Sequence, residues 1–147
     1  ASPQPVKIFN ESSIEKISKD GQIVIAVGGG GIPAFYVEEK KLQGIDAVID
    51  KDLASSLLAA NINATEFYIL TDIEKVFINF RKSNERALDT ITVAEAKSFL
   101  EEGHFADGSM APKVSAAINF VERSGKDTII TTATQLGIPG AGTRITI

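Results

Sequence analysis

The sequence predicts an α/β fold, a three-layer sandwich with a mainly parallel sheet and helices on both faces. Three observations predict it. Short apolar runs of strand length, Ile23 to Val27, Glu66 to Leu70 and Thr128 to Thr131, read as buried strands. Between them lie stretches whose apolar residues recur at helical spacing. Polar or glycine-rich segments follow the strands, and in such sheets ligands bind beyond the carboxyl ends of the strands.

The elements follow in order. Ser12-Ser13-Ile14-Glu15 has the pattern of a capping box and predicts a short amphipathic helix ending near Asp20-Gly21. Ile23 to Val27 follows as a buried strand, stopped by Gly28 to Gly31. Ala34 to Val48, with Phe35-Tyr36-Val37, a charged tip at Glu38 to Lys41 and Ile45 to Val48, predicts a hairpin. A helix from about Asp52 to Ala60 leads to the strand Glu66 to Leu70, which stops at Thr71-Asp72, and to a short strand Val76-Phe77-Ile78. Thr92-Val93-Ala94-Glu95 is a second capping box, opening a helix to about Glu102. Pro112 fits the first position of a further helix, with Ser109 as a candidate cap and Val114, Ala117, Ile118 and Val121 on the buried face. That helix runs to about Arg123, and strands Thr128 to Thr131 and Thr143 to Ile147 complete the order. No internal repeat or linker interrupts it, and the expectation is a single domain over 1–147 without flexible tails.

Composition narrows the function. The chain is 44% hydrophobic and 23% charged, ordinary for a globular protein. A formal charge of −4 argues against general nucleic-acid binding, which needs a basic patch. No cysteine is present, so thiol nucleophiles, disulfides and thiolate metal sites are excluded, and a reducing cytoplasm fits. His104 is the one histidine, too little for a Ser-His-Asp triad or a histidine metal centre, and it reads as a loop residue. No apolar run approaches a membrane span, and Ala1-Ser2-Pro3-Gln4-Pro5 does not resemble a signal peptide.

Positive charge is local instead. Lys113 lies in the first turn of its helix, where unpaired N–H groups and the helix dipole already favour anions. Lys51, between Asp50 and Asp52, also opens a helix. Aspartates there serve as caps, but a lysine at a helix start is disfavoured unless an anion is near. Two such lysines point to a shared polyanion.

The glycine run has the spacing of a dinucleotide fingerprint in Gly29-x-Gly31-x-x-Ala34, yet that fingerprint needs a helix next, and Phe35-Tyr36-Val37 favours extended chain. No G-x-x-x-x-G-K-[ST] loop is present either. Successive glycines are costly to order, so close approach of backbone to a phosphate or to another chain segment is the expected gain.

The chain resembles the carboxyl-terminal half of carbamate kinases, within the amino acid kinase fold. The resemblance is carried by Ser2-Pro3-Gln4-Pro5, Val24 to Pro33, Ala47 to Ala54, Leu70-Thr71-Asp72, Val76 to Phe80, Glu101 to Phe105, Gly108-Ser109-Met110-x-Pro112-Lys113 and Gly142-Thr143-Arg144-Ile145, in family order over nearly the whole chain. It implies reversible phosphoryl transfer between ATP and carbamate, running toward ATP from carbamoyl phosphate and ADP, as in arginine breakdown by the arginine deiminase pathway. It makes Lys51 and Lys113 the cations flanking the phosphoryl group, with Asp52 orienting them. It implies that Gly28, Gly29, Gly30, Asp50, Thr71, Asp72, Val76, Phe77, Ser109 and Met110 surround the nucleotide, with Phe77 and Met110 against the base. Mg2+ would be held mainly by the nucleotide phosphates, with no metal site built from protein groups.

Three departures stand out. Ala111 and Lys75 occupy positions where the family usually has glycine, which bears on phosphate approach and on the turn after Thr71-Asp72. Family members are also about twice as long, and their amino-terminal half, with most of the acceptor site and dimer interface, is not in this sequence. The resemblance therefore implies a nucleotide-binding half that needs its amino-terminal partner for turnover, in an enzyme that is a homodimer when full-length. A nucleotide- or carbamoyl-phosphate-sensing domain and a kinase of the same fold with another acceptor are the alternatives.

Overall fold

The structure is a computed structural model that describes residues 2–38 and 41–147. Helix α1 spans Glu11–Lys19. It starts one residue before Ser12, with Asn10 in the capping position and no side-chain cap bond, so the expected Ser12–Glu15 box does not form. Ser12 is already inside the first turn, and Glu15 pairs forward with Lys19.

The expected strand at Ile23 to Val27 is not part of any sheet among the described residues. Ile23 and Ile25 are 98% and 95% exposed. A strand is completed by a neighbour's backbone groups, and none reaches this segment. Val24 to Val27 border a groove of about 620 Å³ also lined by Ile14, Ile17, Ala54 and Leu58.

Strands β1 (Ala34–Glu38) and β2 (Lys41–Gly44) form an antiparallel hairpin where one is expected, but its second arm is Lys41–Gly44, and Ile45 to Val48, expected in that arm, lie outside both strands; residues 39 and 40 lie outside the described residues. Helix α2 (Lys51–Asn61) then buries Leu53, Ala54, Leu57, Leu58 and Ala59. Strand β3 covers Phe67–Leu70. After it, β4 (Phe77–Ile78) pairs antiparallel with β5 (Arg86–Ala87), a strand too short to show a period in the sequence. Strand β6 (Thr90–Thr92) runs directly into α3 (Val93–Glu101), whose Thr92–Glu95 capping box is complete. Helix α4 (Met110–Ser124) begins two residues before Pro112. Proline is tolerated at this third position because its N–H would have no partner there. Strands β7 (Thr128–Thr131) and β8 (Thr143–Thr146) follow, with a 3-10 turn at Ala133–Gln135 between them.

The main sheet has the order β3-β7-β8-β6. Two of its three pairings are parallel, β3 with β7 and β6 with β8, while β7 and β8 are antiparallel. The fold is therefore α/β with a mainly parallel sheet, as the sequence predicts. Side chains on the helix-covered face interlock with α4: Phe67 stacks on Phe120 at 5.1 Å, and the Thr128 hydroxyl donates to Ala117 O. Gly142 lets β8 press against β7, since a Cβ there would lie 2.7 Å from Ile130 O, and its φ of +80° suits only glycine well. The core runs along α2, α4 and this sheet face, with Leu57, Val114, Phe120, Val121, Ile130 and Ile145 almost wholly buried.

Candidate active site

The site is built where α2 and α4 begin. Asp50 caps α2, its carboxylate accepting from the N–H groups of Asp52 and Leu53 at 2.8 and 3.2 Å. That cap uses Asp50 within its own helix and frees Asp52 to reach across. Asp52 Oδ2 accepts from Lys113 Nζ at 2.9 Å and from Lys51 Nζ at 3.4 Å. The Lys113 and Asp52 side chains are 14% and 13% exposed, whereas Lys51 is half exposed. Helices α2, which buries Leu53, Leu57 and Leu58, and α4, which buries Val114, Ala116 and Ala117, pack side by side, and this brings the two helix starts together. One carboxylate thus holds two ammonium groups beside two helix N-termini, a strongly anion-attracting arrangement.

The glycine run approaches the same place from its neighbour Ile49. Gly31 N–H donates to Ile49 O, and a Cβ on Gly30 would lie 2.6 Å from that oxygen. The run therefore packs against the residue before Asp50. Sequence reasoning left open whether the close approach was to a phosphate or to the chain, and at Gly30 it is to the chain. Gly28 and Gly29 are exposed, and a Cβ on either would have nothing within 4 Å. Val27, just before them, holds a φ of +67°, an unusual conformation for a β-branched residue.

Thr71 and Asp72 lie at the carboxyl ends of the parallel strands. Thr71 N–H donates to Thr131 O at the end of β7, and its hydroxyl donates to Asp72 at 3.1 Å. No hydrogen bond or ion pair among the described residues joins Thr71, Asp72 or Phe77 to the Lys51, Asp52 and Lys113 group. Val76 sits beneath this edge, wholly buried, its N–H donating to Thr143 Oγ1 and its carbonyl accepting from Leu88. It shapes the edge from below, and its side chain belongs to the core. Phe77 is half-buried next to Phe80. Ser109 is exposed before α4, without a side-chain cap bond, and Met110 packs partly against the core.

The two unusual residues fit without strain. Neither Lys75 nor Ala111 has a positive φ; Lys75 pairs with Asp89, and Ala111 lies in the first turn of α4 with its N–H on Ala106 O. His104, in the loop before α4, bonds Glu102 and stacks edge-on against Phe99. Hydrogen bonds from Ser98 and then His104 hold the Glu102 carboxyl below its ordinary pKa. The buried Thr143 hydroxyl, bridging Val76 and Leu88, is a support that sequence periodicity does not reveal. Its only signal was its place in the Gly142-Thr143-Arg144-Ile145 stretch.

Among the described residues no three His, Asp or Glu side chains come together as a metal site, and no helix is long and apolar enough to cross a membrane. With Asp52 engaged by both lysines, the donor set does not suit a metal held by protein carboxylates.

A model of the amino acid kinase family matches residues 1–132. The chain is 53% identical over 130 residues to a carbamate kinase of Thermoplasma volcanium, covering 88% of this chain and 42% of that protein. It is 51% identical over 132 residues to a carbamate kinase-like protein of Escherichia coli, with 89% and 42% covered. The fold superposes with a TM-score of 0.92 on the carbamate kinase of Giardia lamblia bound to AMP-PNP, at 44% identity, over 99% of this chain and 52% of that one. The chain spans less than half the length of the curated relatives it matches.

Proposed function

The chain belongs to the amino acid kinase family, and on that premise we propose that it is the nucleotide-binding half of a carbamate kinase, transferring a phosphoryl group reversibly between ATP and carbamate. The observation that carries this reading is the Lys51, Asp52 and Lys113 group at the mouths of α2 and α4. Phosphoryl transfer asks the protein for little covalent chemistry and depends on positioned positive charge. Lys113 and Lys51 neutralise charge building on the oxygens of the phosphoryl group as it moves between the ADP oxygen and the carbamate oxygen. Asp52 is a positioning residue: it keeps both ammonium groups converged so that little reorganisation is needed in the transition state. The exposed Gly28 and Gly29 admit the phosphates to the backbone, and Thr71, Asp72, Phe77, Ser109 and Met110 receive the ribose and base. Mg2+ enters with the nucleotide as part of the substrate complex. Turnover needs an amino-terminal half like that of the longer relatives, in a cytoplasmic homodimer working toward ATP in arginine breakdown.

The test has two stages. Calorimetric titration with Mg-ADP is expected to show micromolar to millimolar binding, weakened about tenfold or more by Lys113→Ala and by Lys51→Ala, as suits a lost charge-assisted contact. With the amino-terminal half supplied, ATP should form from ADP and carbamoyl phosphate, and either substitution should slow it by about 10²-fold or more. Nucleotide binding indifferent to both substitutions would sink the phosphate assignment. Binding without turnover would favour a sensor or another acceptor.

A further inference from the structure

Helices α2 and α4 lie with like ends together. Their first turns meet where Lys113 Nζ donates to Asp52 Oδ2 at 2.9 Å, and their far ends meet where Lys126, beyond the last turn of α4, reaches the turn that closes α2. Such a pair sets two positive helix poles side by side at one end and two negative poles at the other. Asp52 answers the first end, and Lys126 answers the second. Ala64 N–H donates to Ala59 O and Asn63 N–H to Ala60 O, with Asn63 at a φ of +57°, the paired bonds of a left-handed helix stop. That stop leaves the Asn63 and Ala64 carbonyls for another donor. Lys126 Nζ donates to Ala64 O at 2.7 Å, to Asn63 Oδ1 at 2.8 Å and to Asn63 O at 3.2 Å, so each of its three hydrogens has an acceptor. Its backbone is fixed as well: its N–H donates to Ser124 Oγ at 3.1 Å, and the Ser124 hydroxyl donates to Phe120 O at 2.7 Å. None of the ion pairs among the described residues involves Lys126, so its charge is met by the end of α2.

We propose that Lys126 is a positioning residue for Lys113: by pinning the far ends of α2 and α4, it sets how the two helices lie along one another and hence where the Lys113 ammonium stands over Asp52. Between the two ends the helices bury apolar side chains such as Leu57, Leu58, Ala116 and Ala117. Burial of that kind holds the pair together without direction, whereas hydrogen bonds at the ends fix its slide along the axis. The effect of this position on phosphate binding rests on the role proposed above for Lys113. The position itself does not.

The test uses Lys126→Met, which keeps the apolar stem and removes the charge and its donors. In the ligand-free chain the side-chain Cε NMR signal of Lys113 is expected to shift, although the substitution lies at the opposite end of the helix pair. Mg-ADP binding is expected to weaken about two- to fivefold, on the scale of one charge at a helix end. Lys126→Arg, which can again donate to the same carbonyls, should restore most of both. In a Lys113→Ala background Lys126→Met should change Mg-ADP binding no further, because it acts through Lys113. A Lys113 signal that stays in place, with changes confined to residues near 63 and 126, would overturn the proposal and leave Lys126 a local cap. Losses of ADP affinity that add in full across the two sites would overturn it too. Where Lys126→Met does not fold, Asn63→Gly keeps the turn and both carbonyls but removes the amide acceptor, and it should move the Lys113 signal in the same direction by less; no movement there overturns the proposal equally. If Lys113→Ala leaves Mg-ADP binding intact, or the parent chain does not bind it, while Lys126→Met still shifts the Lys113 signal, the phosphate reading fails and the positioning stands. If Lys113→Ala weakens Mg-ADP and Lys126→Met changes neither signal nor affinity, the positioning alone fails.

Discussion

Residues 50 to 146 and residues 2 to 49 use apolar side chains in opposite ways. In the later region Leu57, Val114, Phe120 and Ile130 expose 2% or less of their surface, and α2 and α4 are locked together by that packing. In the earlier region Ile23, Ile25 and Ile32 each expose more than 90%, and both strands of the β1–β2 hairpin are exposed throughout. The contrast explains why the charged group lies where it does. Two lysines and an aspartate hold one geometry only if the helices beneath them cannot shift, and the closely packed region supplies those helices. The earlier region brings the glycine run to Ile49 but leaves Val6, Ile23, Ile25, Ile32 and Val48 largely exposed, and exposed apolar groups of this kind favour association.

The largest test of this contrast is truncation in each region. Phe120→Ala, which empties a fully buried site stacked on Phe67, should destabilise by about 3–5 kcal/mol in denaturant unfolding. Phe35→Ala, at a half-exposed hairpin position, should stay within about 0.5 kcal/mol. Equal losses would erase the distinction between the regions. Next in size is Asp52→Ala, which leaves the mostly buried Lys113 ammonium without its closest acceptor. A loss of about 1–3 kcal/mol is expected by the same measurement, and a neutral result would mean that water readily replaces the carboxylate.

A smaller effect on stability, within about 0.5 kcal/mol, is expected for the paired substitution Ile23→Ser and Ile25→Ser. Sedimentation velocity should show less self-association than in the parent chain, and an unchanged distribution would mean that the exposed isoleucines do not drive contact. The smallest effect concerns Asp127. Burial pushes its carboxyl up, but hydrogen bonds from Arg144 and Thr146 and the Arg144 charge outweigh this and hold it below the ordinary value. A lowered folded pKa gives stability that is present above the unfolded value, about 4, and lost as pH falls through the folded one. Asp127→Asn should therefore lose a little stability above about pH 4 and converge on the parent as pH falls below it, so that its acid-unfolding profile is slightly flatter. An acid profile identical to the parent's would show that the pair contributes nothing to folding.

Local signals were legible where the stabilising contacts lie within a few residues. Thr92 and Glu95 cap one another three residues apart, and Asp50 caps the turn that follows it, so both helix starts could be read directly. The β1–β2 hairpin and the strand at Phe67 to Leu70 were equally plain. The same reasoning misplaced the box at Ser12 because α1 starts at Glu11, one residue earlier, and it took Ile23 to Val27 for a paired strand because apolar sequence does not reveal whether a neighbour is present. Strands β5 and β6 escaped notice because two or three residues carry no measurable period.

By itself, then, the sequence determined the α/β class, the order of its longer elements and the placement of Lys51 and Lys113 in the opening turns of two helices, since these depend on neighbours along the chain. Only the tertiary structure decided that Asp52 reaches Lys113 across 61 positions, that Gly30 closes on Ile49, that β8 runs against β7, and that Arg81 rests on Phe80. Those contacts depend on how helices and strands pack in space, and that packing is settled by burial of the whole core, not by any local pattern.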